Sequence, residues 1–137
     1  MRSLNVLMTA DTVGGVWTYA LDLARGLVEY GCEITLATMG GRLNAGDART
    51  AARIRNLHLH ESSFRLEWMD EPWNDVAEAG AWLLTLAHKL RPDIVHLNNF
   101  AHGNLSWPAP VLMVGHSCVL SWWQAVKGES APAGWDH

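Results

Sequence analysis

The sequence predicts an α/β fold in which helices cover both faces of a parallel sheet. Short apolar runs, typical of buried strands, alternate with segments whose apolar residues recur every three or four positions. The 137 residues are enough for one domain with a buried core. Alternating strands and helices form right-handed parallel crossovers, so we predict a Rossmann-like sheet with the simplest strand order, 3-2-1-4-5.

The first unit consists of a strand, a glycine turn and a helix. The strand begins at Leu4, Gly14 and Gly15 follow it, and the helix begins at Val16 and is capped by Gly31. One side of this helix is apolar, with Trp17, Ala20, Leu21, Ala24, Leu27 and Val28. Glycines at a helix N-terminus leave backbone N–H groups accessible, so this turn is suited to bind an anion.

The remaining elements follow in order. We predict strands at residues 32–38, 57–61, 93–97 and 109–115, a short polar helix around 47–55 and a long helix at 74–90. Leu57 and Leu59 alternate with His58 and His60, which indicates a strand at the sheet edge. The unbroken apolar run 109–115 predicts a strand buried on both faces, and a short helix should follow it.

Composition limits the function classes. The chain is 49% apolar and 18% charged, as in soluble globular proteins, and no apolar run approaches the roughly 20 residues of a membrane span. A net charge of −4 argues against nucleic-acid binding. The N-terminus lacks an apolar targeting segment, and we take Cys32 and Cys118 as free thiols. We therefore expect a cytoplasmic protein.

Ligands of such sheets bind beyond the carboxyl ends of the strands, where strand order reverses. Four loops should meet there, including the aromatic loop 62–73. Their polar residues and glycines are Gly14, Gly15, Asn98, Asn99, His102, His116 and Ser117. The eight tryptophans include Trp68, Trp73, Trp122 and Trp123 in or beside loops, where an indole covers either a cleft or, more commonly, the core. An exposed tryptophan-rich face would also allow self-association.

Several enzyme classes do not fit. The segment TVGGVW lacks the G-x-G-x-x-G spacing of dinucleotide-binding loops and has no G-K-[ST], and GHSCV lacks the second glycine of a hydrolase elbow.

His116 after the fifth strand is equally compatible with an active group and a core histidine. His58 and His60 have chelating spacing but no third ligand nearby, so a solvent-facing pair is the stronger interpretation. A metal-dependent enzyme built on His58, His60, His116 and Cys118 is the least favoured of the three functions that we consider.

Three segments carry a resemblance to a known family. MTADTVGGVWTYALDLARGL, RPDIVHLNN and PVLMVGHS resemble, in this order, the N-terminal domain of retaining GT-B glycosyltransferases, the group that includes sucrose synthase and bacterial mannosyl- and glucosyltransferases. The resemblance covers nearly the whole chain. It implies the first half of a GT-B architecture, and transfer of a hexosyl unit from a nucleotide sugar to a hydroxyl acceptor, with retention and with no metal or other cofactor.

The resemblance also implies residue roles. Gly14, Gly15 and Val16 would lie at the donor phosphates or sugar, and His116 would lie beside the transferred sugar and contribute to catalysis. The acceptor-side candidates are Asn98, Asn99, His102, Ser117, Trp68, Trp73, Trp122 and Trp123. The family's C-terminal donor-binding domain lies outside residues 1–137, so we expect one truncated domain that is inactive until that domain or a partner chain completes it. The alternative is a non-catalytic, flavodoxin-like module that binds a ligand or partner.

Overall fold

The structure is a computed structural model and describes residues 2–135. These residues form a five-stranded sheet with the predicted order β3-β2-β1-β4-β5, and every pairing in it is parallel. The strands are β1 (Leu4–Asp11), β2 (Cys32–Met39), β3 (Leu57–Glu61), β4 (Ile94–Leu97) and β5 (Val111–Met113). The helices are α1 (Gly15–Leu27), α2 (Ala45–Ala52), α3 (Trp73–Leu90) and α4 (Val119–Lys127), with a 3-10 turn at Val28–Tyr30.

The central strand β1 separates two cores. Successive side chains of a strand point to opposite faces of the sheet. Met8 therefore packs in the core that includes α1 and Ala51 of α2, whereas its neighbour Leu7 packs in the core that includes α3. The prediction of helices on both faces is confirmed, and the apolar stripes of α1 and α3 bury the faces that their periodicity indicates.

The helix ends follow from local capping. The 3-10 turn after α1 closes at Gly31, which adopts the left-handed conformation with φ +68°. Helix α2 begins at Ala45, two residues before the predicted start, because the Asn44 side chain accepts the N–H of Asp47 at 2.9 Å. None of the helices formed by residues 2–135 is long and apolar enough to cross a membrane.

One fold prediction is wrong. We predicted that the run 109–115 is a strand buried on both faces, but β5 contains three residues and all of them are exposed. Val111, Leu112 and Met113 are 39%, 52% and 39% exposed. Strand β5 pairs with β4 at the end of the sheet, and helix α4 buries none of its side chains. An apolar run therefore does not predict two covering layers for a strand at the edge.

Candidate functional site

The carboxyl ends of the neighbouring strands open into one cleft. Asp11 ends β1, Met39 ends β2, Asn98 follows β4 and His116 follows β5. The cleft is lined by Thr9, Ala10, Asp11, Val16, Met39, Leu66, Glu67, Trp68, Asn98, Asn99, His116 and Ser117. Of the candidates inferred from the sequence, the structure thus brings together Val16, Trp68, Asn98, Asn99, His116 and Ser117.

The N-terminus of α1 lies beside this cleft. Gly14 precedes the helix with φ +88°, a conformation that favours glycine, and no side chain caps the helix. No acidic residue lies in the first turn of α1, and a Cβ built on Gly14 or Gly15 would meet nothing within 4 Å. The space beside the two Cα atoms is therefore open, and the turn lies at the positive end of the helix dipole. An anionic group can approach the turn closely.

His116 is held by a polar network that begins on β1. Its Nε2 lies 2.8 Å from Oδ1 of Asn98, and Nε2 of His96 lies 3.2 Å from the same oxygen. The Tyr19 ring of α1 packs edge-on against the His116 ring, with centroids 4.6 Å apart. The backbone N–H and side-chain amide of Asn98 in turn bond Thr9 of β1, so β1 acts on this imidazole through Asn98, whereas Tyr19 of α1 contacts it directly.

Two carboxyl groups, Asp11 and Glu67, also line the cleft. Burial raises the pKa of Asp11 above its ordinary value, while the Val13 N–H that donates to Oδ1 at 3.0 Å, and nearby His116, act in the opposite direction. Glu67 lies on the aromatic loop 62–73. Leu66 of that loop is buried in the core, and the Phe64 carbonyl accepts the N–H of Gly40 at 2.8 Å, so the loop is fixed beside the end of β2.

His102 does not line the cleft and has a structural role instead. It is 3% exposed, and its Nε2 donates to the Val76 carbonyl of α3 at 2.9 Å. Its Nδ1 accepts from the Asn99 amide at 3.1 Å, which leaves neither ring nitrogen for a ligand. Burial lowers the pKa of His102, although the bond to Val76 and the charge of Glu67 oppose this shift. We infer that His102 anchors the loop after β4.

Three tryptophan candidates lie outside the cleft lining. Trp73 begins α3 and lines a separate hollow together with Trp135. Trp122 and Trp123 lie on α4 and pack against each other edge-on, with centroids 5.8 Å apart. Trp107, which the sequence places in a loop, packs on the core and donates from Nε1 to the His102 carbonyl at 2.9 Å. Of the loop tryptophans, Trp68 has the position that suits stacking on a ligand.

The geometry does not support a metal site. His58 and His60 lie on β3, whereas His116 and Cys118 follow β5 at the opposite edge of the sheet. The His58 Nε2 is instead 2.8 Å from a carboxylate oxygen of Glu33, and both side chains are exposed. Across residues 2–135, no group of three His, Cys, Asp or Glu side chains is placed to hold a metal ion.

Sequence reasoning missed Asp11, Tyr19 and Glu67. Asp11 had a usable signal, since it is the last residue of the first strand and directly precedes the glycine turn. Tyr19 lies on α1 near the edge of the apolar stripe, where periodicity does not distinguish a ring that packs on the core from one that reaches a loop. Glu67 lies in a segment without periodicity, so only the tertiary structure shows that it faces the cleft.

Comparison with known proteins gives the family. The sequence matches Glycosyltransferase Family 4 over residues 13–136. No curated protein matches the chain in sequence. The structure is similar to the glycotransferase of kitacinnamycin, with a TM-score of 0.62, 17% identity, and coverage of 82% of this chain and 30% of that one.

Two further solved structures share the fold. LpCGTa, solved in complex with UDP, has a TM-score of 0.58 and 19% identity over 94% of this chain and 35% of its own. MurG from Acinetobacter baumannii has a TM-score of 0.57 and 18% identity over 80% of this chain and 34% of its own. The chain therefore spans about a third of the length of these structures. It has the Rossmann-like fold of GT-B glycosyltransferases, and it belongs to Glycosyltransferase Family 4.

Proposed function

We propose that this chain is the acceptor-side half of a retaining glycosyltransferase that transfers a hexosyl unit from a nucleotide sugar to a hydroxyl acceptor. The observation that carries the proposal is the single cleft that is lined both by Val16, in the first turn of α1, and by His116, while Gly14 and Gly15 lie next to Val16 outside its lining. Family membership supports it. Since the chain spans about a third of the similar structures, we propose that a second domain or a partner chain holds the nucleotide.

The donor end of the cleft is the turn at Gly14 and Gly15. Backbone N–H groups there and the α1 dipole would stabilise the negative charge that grows on the diphosphate as it leaves. Without a Cβ at either position, a phosphate oxygen can reach the backbone. Val16 lines the cleft next to this turn. This stabilisation needs no lysine, and none of the lining residues is cationic when His116 is neutral.

The acceptor end would use the polar and aromatic lining. The Trp68 indole offers a flat apolar face that suits the C–H face of a pyranose ring. Asn99, Ser117 and the Asp11 carboxyl can hydrogen-bond sugar hydroxyls. Trp73, Trp122 and Trp123 would contact an acceptor only outside this cleft, so we do not assign them to the first acceptor ring.

The proposed chemistry is one exchange of bonds on one face of the sugar. The bond between the anomeric carbon and the diphosphate oxygen breaks, the acceptor oxygen bonds to that carbon, and the departing phosphate oxygen takes the hydroxyl proton. His116 would hydrogen-bond the transferred sugar and need not act as a base. The scheme uses no metal and no other cofactor. We expect no measurable transfer by residues 1–137 alone, and robust turnover would contradict this.

The sharpest test uses two glycines of the same helix. Gly15 and Gly26 both lie in α1, and a Cβ at either would meet nothing within 4 Å. Gly15→Ala and Gly26→Ala should both fold, with unchanged or slightly raised stability, because alanine favours helix by up to about 1 kcal/mol. Both substitutions are made in the complete protein, which includes the domain or partner chain that holds the nucleotide, and UDP-glucose and GDP-mannose are titrated into each variant while tryptophan fluorescence is followed.

We expect Gly15→Ala to weaken nucleotide-sugar binding roughly tenfold, equivalent to about 1.4 kcal/mol, because the new methyl group occupies the place of a phosphate oxygen. Gly26→Ala should bind as the parent chain does. Equal binding by the two variants would remove the glycine turn from the donor site. If the complete parent protein binds neither nucleotide sugar, the alternative of a non-catalytic module gains support.

Two further expectations remain predictions. Helix α4 exposes large apolar side chains, which include Leu120, Trp122 and Val126, and we propose that the chain self-associates through this helix. Sedimentation at increasing concentration tests this. The cytoplasmic location is tested by fractionating cells that express the full-length protein.

A further inference from the structure

Asn98 occupies a buried position between β1 and the segment after β5. It is 7% exposed and lies directly after β4. Its backbone N–H donates to Oγ1 of Thr9 at 3.0 Å, and its side-chain Nδ2 donates to the Thr9 carbonyl at 2.8 Å. A carbonyl oxygen only accepts hydrogen bonds, so the atom facing Thr9 must be the amide nitrogen. The orientation of the Asn98 amide is therefore determined by β1.

This orientation turns Oδ1 of Asn98 toward two imidazoles. The oxygen is 2.8 Å from Nε2 of His116 and 3.2 Å from Nε2 of His96. An amide oxygen has no proton to give, so each of these nitrogens must carry one. A neutral imidazole holds a single N–H, and its Nδ1 then has a free lone pair. Both lone pairs of the Asn98 oxygen are occupied, which leaves that atom no capacity for a sugar hydroxyl.

We propose that Asn98 is a positioning residue that holds neutral His116 in the Nε2–H tautomer and so presents Nδ1 to the cleft ligand as a hydrogen-bond acceptor. The use of this tautomer in sugar transfer rests on the proposed function, but the tautomer itself does not. This positioning role replaces the direct contact with the sugar acceptor that the sequence predicted for Asn98.

The tautomer has a consequence for what His116 recognises. With a lone pair on Nδ1, the neutral ring accepts a hydrogen bond from a hydroxyl group and does not donate one to a carbonyl or phosphate oxygen. The other tautomer would place the Nε2 lone pair against the Asn98 oxygen at 2.8 Å, where two acceptors repel. The edge-on contact with Tyr19 limits rotation of the ring about its Cβ–Cγ bond, a rotation that would replace Nε2 with Cε1 opposite the Asn98 oxygen.

The test measures the ring nitrogens directly. Two-bond nitrogen–proton NMR spectra of uniformly labelled chain, recorded without ligand at a pH where His116 is neutral, distinguish Nε2–H from Nδ1–H. We expect His116 to show mainly Nε2–H. In Asn98→Ala, the ratio of Nδ1–H to Nε2–H should rise about fivefold, the effect expected from losing one hydrogen bond of ordinary net strength.

Asn99→Ala is the matched control. Asn99 neighbours Asn98 in sequence, but its amide bonds His102 and not His116. The His116 tautomer should stay unchanged in this variant. His102 serves as an internal reference in Asn98→Ala, because its donation to Val76 and its bond from Asn99 hold it as Nε2–H.

The outcomes separate this proposal from the proposed function. Nδ1–H or an even mixture at His116 in the parent chain would overturn the tautomer proposal, whether or not Asn98→Ala folds. An unchanged His116 tautomer in a folded Asn98→Ala would overturn the role of Asn98. Failure of the complete protein to bind UDP-glucose would count against the proposed function and leave the tautomer result intact.

Discussion

Strands β2 and β5 are both apolar, yet their surroundings differ. In β2, Ile34, Leu36 and Ala37 are fully buried, because β2 lies between β1 and β3 and helices cover both faces. In β5, all three residues are exposed and α4 buries none of its side chains. We call β5 with α4 the open edge. The comparison teaches that the position of a strand in the sheet, and not its composition, decides how much its side chains contribute to stability.

The largest expected difference comes from one substitution made in each strand. Leu36→Ala should lower the free energy of unfolding by about 2 to 5 kcal/mol, because a fully buried leucine leaves a cavity in a packed core. Leu112→Ala removes a side chain that is 52% exposed and should cost less than about 1 kcal/mol. Urea unfolding measures both values. Equal costs would show that the open edge is as well packed as β2.

Two glycines extend the comparison to turns. Gly40 follows β2 with φ +96°, and a Cβ there would lie 2.8 Å from Cδ1 of Leu66. Gly128 ends α4 with φ +71°, and a Cβ there would meet nothing within 4 Å. Gly40→Ala should cost roughly 2 to 3 kcal/mol, from left-handed strain and crowding together, and Gly128→Ala about 1 kcal/mol from strain alone. Thermal unfolding followed by circular dichroism tests this order, and a greater loss in Gly128→Ala would contradict it.

The pH dependence of the free energy of unfolding should come from His102, a buried histidine near the open edge. Burial lowers the pKa of His102 below 6.5, so below this pH the unfolded chain binds a proton that the folded chain does not take up. Stability is therefore present above pH 6.5 and is lost as pH falls below it. Burial acts on His96 in the same direction.

His102→Gln should be less stable at neutral pH but should show a shallower loss between pH 7 and 5. The comparison is made by urea unfolding at each pH. An unchanged slope would mean that His102 is protonated in the folded chain. His58→Gln, at an exposed position of β3, is the control for a histidine at the opposite edge of the sheet.

The smallest expected effect concerns the cleft itself. Burial raises the pKa of Asp11, which means that the folded chain holds this charge at a cost when the carboxyl is ionised. Asp11→Asn keeps an oxygen for the Val13 N–H and removes the charge, so stability at pH 7 should rise slightly, by less than about 1 kcal/mol. The gain should vanish as pH falls through the Asp11 pKa. A loss of stability at pH 7 would show that the charge is compensated.

Much of the fold could be predicted from local patterns. The period of the apolar residues identified α1 and α3, and the alternation in LHLH placed β3 at an edge, which the sheet order confirms. These features depend on neighbours within one turn or one strand. The ends of α2 were less well predicted, because the Asn44 cap acts one residue before the helix starts.

The site was predicted only in part. Residues that follow strand ends, such as Asn99 and His116, could be found because parallel strands place their carboxyl ends at one edge. The sequence placed Trp68 among the candidates but did not distinguish it from Trp73 and did not identify Glu67, since their loop is fixed by contacts of Phe64 and Leu66 with distant parts of the chain. The same holds for His102, whose partners lie on α3 and in its own loop.

The sequence by itself determined the alternation of strands and helices, the glycine turn and the edge of the sheet at which a ligand can bind, because these follow from side-chain period and backbone freedom. Only the tertiary structure decided that β5 is exposed, that Asp11 and Tyr19 belong with His116, and that the Asn98 amide orients that imidazole. Burial and hydrogen-bond direction depend on which atoms meet across the fold, and residues as far apart as Thr9 and Asn98 meet only when the sheet has formed.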